Sequence, residues 1–344
     1  MSNLARLVLS SLLAVAVAGC DGKESASSEG EAPSISLALL WEKGDSEVSP
    51  DQDFGRIVDA ALDGELNAYV LDASTNNIRV FDKDGRSLRT LSRSGRGPGE
   101  LTEPVSLVHD GQGTLYVLDR VNGLVSIPTS SSNAVPGKSA LLPFVGSDFC
   151  LLREKTIVFG SHNGHPLHEV TFSGSIVRSF GDFDGPTEYP QHVPALNSNG
   201  KVACFPELDM VLTVPQLFPV VRAYRLADGA PLWADSVRGV VPWGVVVNPQ
   251  FYSTGQHRDG SDETIVLRPL DTEQAVLQYR RSHQIDSAVA TCVFTVRTGG
   301  CLAVRDSTPR LVAARDGLVL SFTHGDYHKV ALYRRRSANR TVEP

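Results

Sequence analysis

The densest group of potential metal ligands in the chain is Ser161-His162-Asn163-Gly164-His165-Pro166-Leu167-His168. Neutral imidazoles hold a transition metal when their nitrogens converge to about 2.0–2.1 Å from the ion. His162 and His165 flank Asn-Gly, a dipeptide suited to a tight turn, so a turn there would bring the two rings together. His168 is expected to begin the strand that follows. Histidine is also common in polar turns, and the chain has no H-E-x-x-H or comparable fixed spacing. The expectation is therefore no metal and no other cofactor. A divalent cation, Zn or Ca, at His162 and His165 is the alternative.

A second chemically suggestive stretch is Leu91-Ser-Arg93-Ser-Gly95-Arg96-Gly97-Pro98-Gly99-Glu100. Arg93, Arg96 and Glu100 would make a charged rim for an acidic ligand. Equally, the glycines allow a tight crossing that Pro98 stiffens. A second copy at Gly181–Pro190 keeps Gly-Pro and the glutamate but has Asp182 and Asp184 instead of arginines. What recurs is geometry, so the structural role is expected. Asp72 and Asp119 each end an apolar run before a turn, where a carboxylate accepts backbone N–H bonds in an Asx-turn. Nucleophilic and phosphate chemistry lack their motifs: there is no G-x-S-x-G and no Gly-Lys-[Ser/Thr] loop. Trp233 and Trp243 are expected to pack in the core or at its rim. Asn248–Glu263 is the most obvious insertion.

These residues must be carried by strands. Asn67-Ala-Tyr-Val-Leu-Asp72, Asn77-Ile-Arg-Val-Phe-Asp82 and Ser87-Leu-Arg-Thr-Leu91 form a meander joined by tight turns. No helical period competes after the N-terminus. The Gly97-Pro98 and Gly185-Pro186 pairs lie 88 residues apart, two units of about 44, the length of a four-stranded propeller blade. A turn glycine and a strand follow 16 and 15 residues later, at Gly113 and Gly200. Candidate second strands of successive blades are 68–72, 114–119, 156–161, 201–206, 264–269 and 318–322. Six of them predict an all-β, six-bladed propeller over residues 35–344. The segment Ile35–Trp41 would supply the outer strand of the last blade and close the ring, whose third strand is expected at 329–334.

The chain opens with one basic residue, Arg6, before an apolar run from Leu7 to Gly19, the layout of an export signal. The run ends Val17-Ala18-Gly19-Cys20, which resembles the lipobox of bacterial lipoproteins. That resemblance implies removal of residues 1–19 and lipidation of Cys20, and more than one acyl chain makes a stable anchor. Residues 20–34 would be the lipidated cysteine and a polar, flexible tether. In some such lipoproteins an aspartate after the cysteine favours inner-membrane retention, so Asp21 points to that membrane. The formal net charge is −7; losing Arg6 makes it one unit more negative, which argues against a nucleic-acid partner. The one basic run, Arg334-Arg335-Arg336, is expected to be a solvated strand end. Cys150, Cys204, Cys292 and Cys301 remain, and an oxidising compartment would pair them in one of three ways.

The segment Ala68–Phe81, echoed at Thr114–Ile127, is similar to the NHL-repeat propellers, and the Gly-Arg-Gly-Pro-Gly-Glu-Leu segment looks like their inter-blade connection. The likeness is partial in the third and fourth blades and poor beyond residue 240. It implies that inter-blade connections share one face, around the channel mouth, with the links between second and third strands. On that face the resemblance places Arg93, Arg96 and Glu100, then His162 and His165, His192, and His324, Asp326 and Tyr327. Propeller lyases with a histidine-bound zinc make a metal-dependent hydrolase or lyase the alternative activity, with His192 or His324 as further ligands. Gluconolactonase-like propellers hold a cation with acidic and asparagine side chains, for which Asp72, Asn76, Asp119 and Asn122 are outweighed by their turn role. With no strong catalytic motif, the expected function is a non-enzymatic, membrane-anchored binding or scaffold protein of the cell envelope. Its channel-mouth face would hold a protein, peptide or glycan, with the domain facing the periplasm or exterior.

Overall fold

A meander of short apolar strands bounded by Gly, Asp and Asn has two faces to cover, and stacking meanders face to face covers both. The computed structural model describes residues 35–44, 53–130, 137–183, 198–243, 260–281, 289–324 and 328–336. Its first strand, β1 (Ser36–Lys43), precedes five complete meanders. Blade 1 is β2 (Ile57–Leu62), β3 (Ala68–Asp72), β4 (Asn77–Phe81) and β5 (Ser87–Leu91). Blade 2 is β6 (Pro104–His109), β7 (Thr114–Asp119), β8 (Gly123–Pro128) and β9 (Lys138–Ala140). Blade 3 is β10 (Gly146–Leu151), β11 (Lys155–His162), β12 (His165–Thr171) and β13 (Ile176–Phe180). Blade 4 is β14 (Gly200–Phe205), β15 (Met210–Pro215), β16 (Val220–Arg225) and β17 (Pro231–Ser236). Blade 5 is β18 (Asp262–Pro269), β19 (Gln274–Arg281), β20 (Ala290–Thr295) and β21 (Val304–Arg305). The last sheet holds β22 (Arg310–Arg315), β23 (Leu318–Thr323) and β24 (Lys329–Arg336), and β1 completes it. First strands of successive blades adjoin one another around the ring, from β2 beside β6 to β22 beside β2, and so surround the axis.

The chain is therefore an all-β propeller of six four-stranded blades, closed by its N-terminal strand. β1 runs antiparallel to β24, from Ser36 opposite Arg336 to Lys43 opposite Val330. Trp41 extends the closure to blade 1, donating its indole N–H to the Lys83 carbonyl at 3.1 Å and lying 6.0 Å from the Phe81 ring. Arg335 meets Asp271 of blade 5 at 3.2 Å, while Arg334 and Arg336 are exposed, as a solvated strand end requires.

Packing explains why second strands read as continuous apolar runs. All five residues of β3 are buried. Ala68 and Val70 join a core with Leu320 and Phe322 of the last blade, while Tyr69 and Leu71 join one with Leu115 and Val117 of blade 2. The two-residue period of the strand thus serves two interfaces. Six such cores separate the six pairs of neighbouring blades. Each fully buried Leu, Val or Phe contributes roughly 1.5–3 kcal/mol, so the ring is held by its blade interfaces.

Two strand assignments need correction. Of residues 201–206, all but Pro206 fall in β14, and 264–269 fall in β18; both are innermost strands, and the second strands of those blades are β15 and β19. The two Gly-Pro copies are accordingly one strand out of register. Gly113 precedes the second strand of its blade, whereas Gly200 opens an inner strand. Inner and second strands are both short, apolar and turn-bounded, and the link from β13 to β14 is longer than that from β5 to β6. A slip of one strand therefore left the blade count intact. β20 and the two-residue β21 complete blade 5. Two disulfides settle the cysteine pairing: Cys150–Cys204 joins β10 to β14 across blades 3 and 4 (Cα–Cα 5.7 Å), and Cys292–Cys301 closes a loop within blade 5 (5.8 Å).

Candidate functional site

The carboxylates that end the second strands of blades 1 and 2 pin the entrances of those blades. Asp72 accepts N–H bonds from Gly55 (2.9 Å), Arg56 (3.0 Å) and Ser74 (2.9 Å). Burial works against its charge, but these donors and Arg79 outweigh burial and hold the carboxyl below the usual aspartate value. Asp119 accepts from Thr102, Glu103, Val121 and Asn122 at 2.7–2.9 Å. Asn122 in turn donates to the Gly95 and Glu100 carbonyls, both at 2.9 Å. Both aspartates serve the turn and the incoming connection together.

The stretch containing Arg93 and Arg96 is built around Glu100. Its carboxylate takes the Gly97 N–H at 2.7 Å and the Arg93 Nε at 2.7 Å. A Cβ at Gly95, whose φ is +152°, would come within 2.1 Å of the Glu100 carboxylate, so glycine is required there. Arg96 is exposed.

His162 and His165 do face each other across the β11–β12 hairpin, whose turn residues Asn163 and Gly164 have φ of 49° and 81°. Their rings already have other neighbours. His165 Nδ1 is 2.9 Å from the Gly181 carbonyl, and His162 stacks on Phe144 with centroids 5.5 Å apart. His168 does not begin the strand; it lies in the middle of β12, fully buried, with Ser179 Oγ and the Gly160 carbonyl at 2.8 and 3.0 Å. Burial first, then His162, lower its pKa to about 4 against the pull of the Gly160 carbonyl, so its ring is neutral at pH 7. Among the described residues no group of three or more His, Cys, Asp or Glu is placed to hold a metal ion.

A cavity of about 760 Å³ opens on the mouth face at the starts of the inner strands and the links between second and third strands. Its lining includes Arg56, Arg120, Lys201, Arg280, Arg310 and His324, with Glu103 as the one carboxylate among the described residues. Of the residues expected on this face, only His324 lines the cavity; Arg93, Arg96, His162 and His165 do not. His192, Asp326, Tyr327 and Cys20 lie outside the described residues. His324 Nδ1 sits 2.7 Å from His328 Nδ1. Burial, followed by Arg310, His328, Arg280 and Arg56, pushes its pKa down to about 4. Arg280 is paired with Glu263 at 2.7 Å. Lys201 has no hydrogen-bond or ion-pair partner among the described residues.

Deeper on the axis, Arg268 of β18 reaches across the ring. Its guanidinium meets Asp148 of β10 at 2.8 Å and Asp59 of β2 at 3.0 Å, and its Nε donates to the Val312 carbonyl of β22 at 3.2 Å. Ser106 of β6 lies between the carboxylates, 2.9 Å from Asp59 and 2.7 Å from Asp148. Burial alone would raise the Asp148 carboxyl; Arg268, Lys201 and Ser106 outweigh it and hold it below the usual value. Arg268 also lines a second cavity of about 690 Å³ at the opposite ends of the inner strands.

The mouth cations were missed for a physical reason. The sequence pattern puts Lys201 on a second strand, away from the axis, and a lone Arg or Lys at a strand start carries no local pattern. With the inner strands in register a signal emerges: a basic residue at the entrance to the inner strand in blades 1, 4 and 6 (Arg56, Lys201 and Arg310).

Residues 61–172 match the family DUF5128, described as a 6-bladed beta-propeller. No curated protein matches the chain. Among solved structures, the chain is similar to a Bacteroides fragilis protein described as exported (11% identity, 88% of this chain and 95% of that one, TM-score 0.58). It is also similar to a DUF4221 family member from Bacteroides vulgatus (6% identity, 89% and 99% coverage, TM-score 0.55). Both likenesses are of fold.

Proposed function

We propose that the protein is a membrane-anchored binding or scaffold protein of the bacterial cell envelope. In this reading residues 1–19 are removed, Cys20 carries the lipid, and residues 20–34 tether the propeller to the membrane, the inner one if Asp21 acts as a retention signal. The domain faces the periplasm or exterior and holds an envelope protein, peptide or glycan on its mouth face. The observation that carries the reading is the mouth cavity: about 760 Å³, polar, and open to a face built from loops on a rigid ring. That volume falls within the range of about 300–1,000 Å³ common to small-molecule and side-chain-binding sites. The two disulfides fit a chain folded in an oxidising compartment, and the NHL-like blades fit a fold that presents its ligand at the channel mouth. The histidines of β11 and β12 are engaged with Gly181, Phe144, Gly160 and Ser179, which favours the binding reading over a metal-dependent one.

The test is site-specific photo-crosslinking in cells that produce the full chain. A photoreactive residue at Arg120, on the mouth, is expected to give a discrete adduct. The same residue at Gln112, which lines the opposite cavity, is expected to give none. Equal labelling at both positions, or none at Arg120, would contradict the reading.

A further inference from the structure

The mouth reverses the charge of the chain around it. The sequence carries a formal net charge of −7, yet among the described residues the cavity is lined by Arg56, Arg120, Lys201, Arg280 and Arg310 against the single carboxylate Glu103. Building on the mouth as the ligand face, we propose that it binds an anionic oxygen group, a carboxylate, phosphate or sulfate. Lys201 and Arg310 are its deepest contacts, and Arg56 and Arg120 stand at the rim.

These cations are largely unspent inside the protein. Lys201 makes no hydrogen bond or ion pair among the described residues; burial lowers its pKa against the pull of Asp148 and Asp59, two acids that are themselves bonded to Arg268. Arg310 spends one nitrogen on the Ile265 carbonyl at 3.2 Å and packs over the Phe322 ring at 4.5 Å, while its Nε is buried with no acceptor. Arg56 and Arg120 are exposed, and among the described residues their side chains have no ion pair. Arg280 is neutralised on the spot by Glu263. Like charges gathered in a concave site disfavour one another, and a cleft with low-dielectric walls concentrates their field on whatever enters it. The same field bears on the neighbouring His324, whose pKa is lowered first by burial and then by Arg310, His328, Arg280 and Arg56. Guanidinium groups add bidentate geometry suited to carboxylates and phosphates.

Isothermal titration of the purified full chain at constant ionic strength tests this, with citrate, inorganic phosphate, sulfate and the neutral polyol xylitol as probes. Saturable one-to-one binding is expected for at least one anion and none for xylitol. A preference for citrate assigns a carboxylate source, and a preference for phosphate or sulfate assigns a tetrahedral one. Affinity is expected to fall about tenfold in Lys201→Gln, the loss of one charge-assisted hydrogen bond. Because Lys201 lies among inner strands, the exposed pair Arg56→Gln/Arg120→Gln serves as a second variant with the same expected loss. Arg153→Gln/Arg315→Gln, which alters the opposite cavity, is expected to bind as the parent does. The proposal is overturned if no anion binds the folded chain, or if the opposite-face pair weakens binding as much as the rim pair. If anions fail while crosslinks still form at Arg120, the charge assignment falls and the binding reading stands; if both fail, both fall.

Discussion

Replacing Arg268 with methionine leaves Asp59 and Asp148 facing each other across the axis without the guanidinium that bonds both. The two carboxylates are 2% and 0% exposed. Other donors remain: Leu107 N–H and Ala60 N–H to Asp59, Val202 N–H to Asp148, and the Ser106 hydroxyl, whose single proton serves one carboxylate at a time. Removing one partner of a buried ion pair costs about 3–5 kcal/mol, a large share of the roughly 5–15 kcal/mol that holds a typical domain together. In urea this corresponds to a fall of about 1 M or more in the unfolding midpoint. The pH dependence sharpens the test. In the parent, Asp148 has a folded pKa below its unfolded value, so its contribution is present above about pH 4 and is lost as pH falls through the lower folded value. In Arg268→Met, burial is no longer offset by Arg268, protonation of Asp148 begins at higher pH, and the deficit narrows between pH 7 and pH 5. Urea unfolding at both pH values, followed by tryptophan fluorescence, measures it. A deficit below about 1 kcal/mol at pH 7, or one that stays constant down to pH 5, would refute the reasoning.

Three further outcomes follow from the same geometry. Asp119→Ala strips the acceptor from four backbone N–H groups and is expected to cost about 2–3 kcal/mol by thermal or urea unfolding; a neutral result would remove the blade-entrance role. Replacing Cys150 and Cys204 by alanine, which opens a 54-residue separation, is expected to cost about 4 kcal/mol, against about 3 kcal/mol for Cys292 and Cys301, separated by 9. The reverse ranking would show that loop closure does not set their effect. Cys20→Ser protein is expected to leave the membrane fraction after salt and carbonate washing, and its retention there would exclude the lipid anchor.

The architecture was legible because each strand announces itself twice, by composition and by its bounding turn residues. Ala68–Asp72 and Thr114–Asp119 read correctly down to their terminal aspartates. Register failed at Lys201 and Thr264, where inner and second strands share the same local pattern and only the ring tells them apart. The axial Asp59–Arg268–Asp148 contact was invisible for a related reason: its members come from blades 1, 5 and 3, and no short-range spacing connects them. A carboxylate inside an apolar inner strand, as in Ile57-Val58-Asp59-Ala60, was the signal available. The histidine cluster misled in the opposite direction. Its spacing did bring His162 and His165 together, but the nearby carbonyl and aromatic ring that engage them lie at Gly181 and Phe144, outside the motif.

The most direct test of the account is hydrogen–deuterium exchange of the full chain with and without the best-bound anion at saturation. Slowed exchange is predicted at the entrances of the inner strands around the mouth, in residues 55–58, 103–105, 199–201 and 264–265. Protection instead at residues 151–154 and 313–315, on the opposite cavity, or no protection in a chain that binds, would contradict the assignment of the mouth as the ligand site.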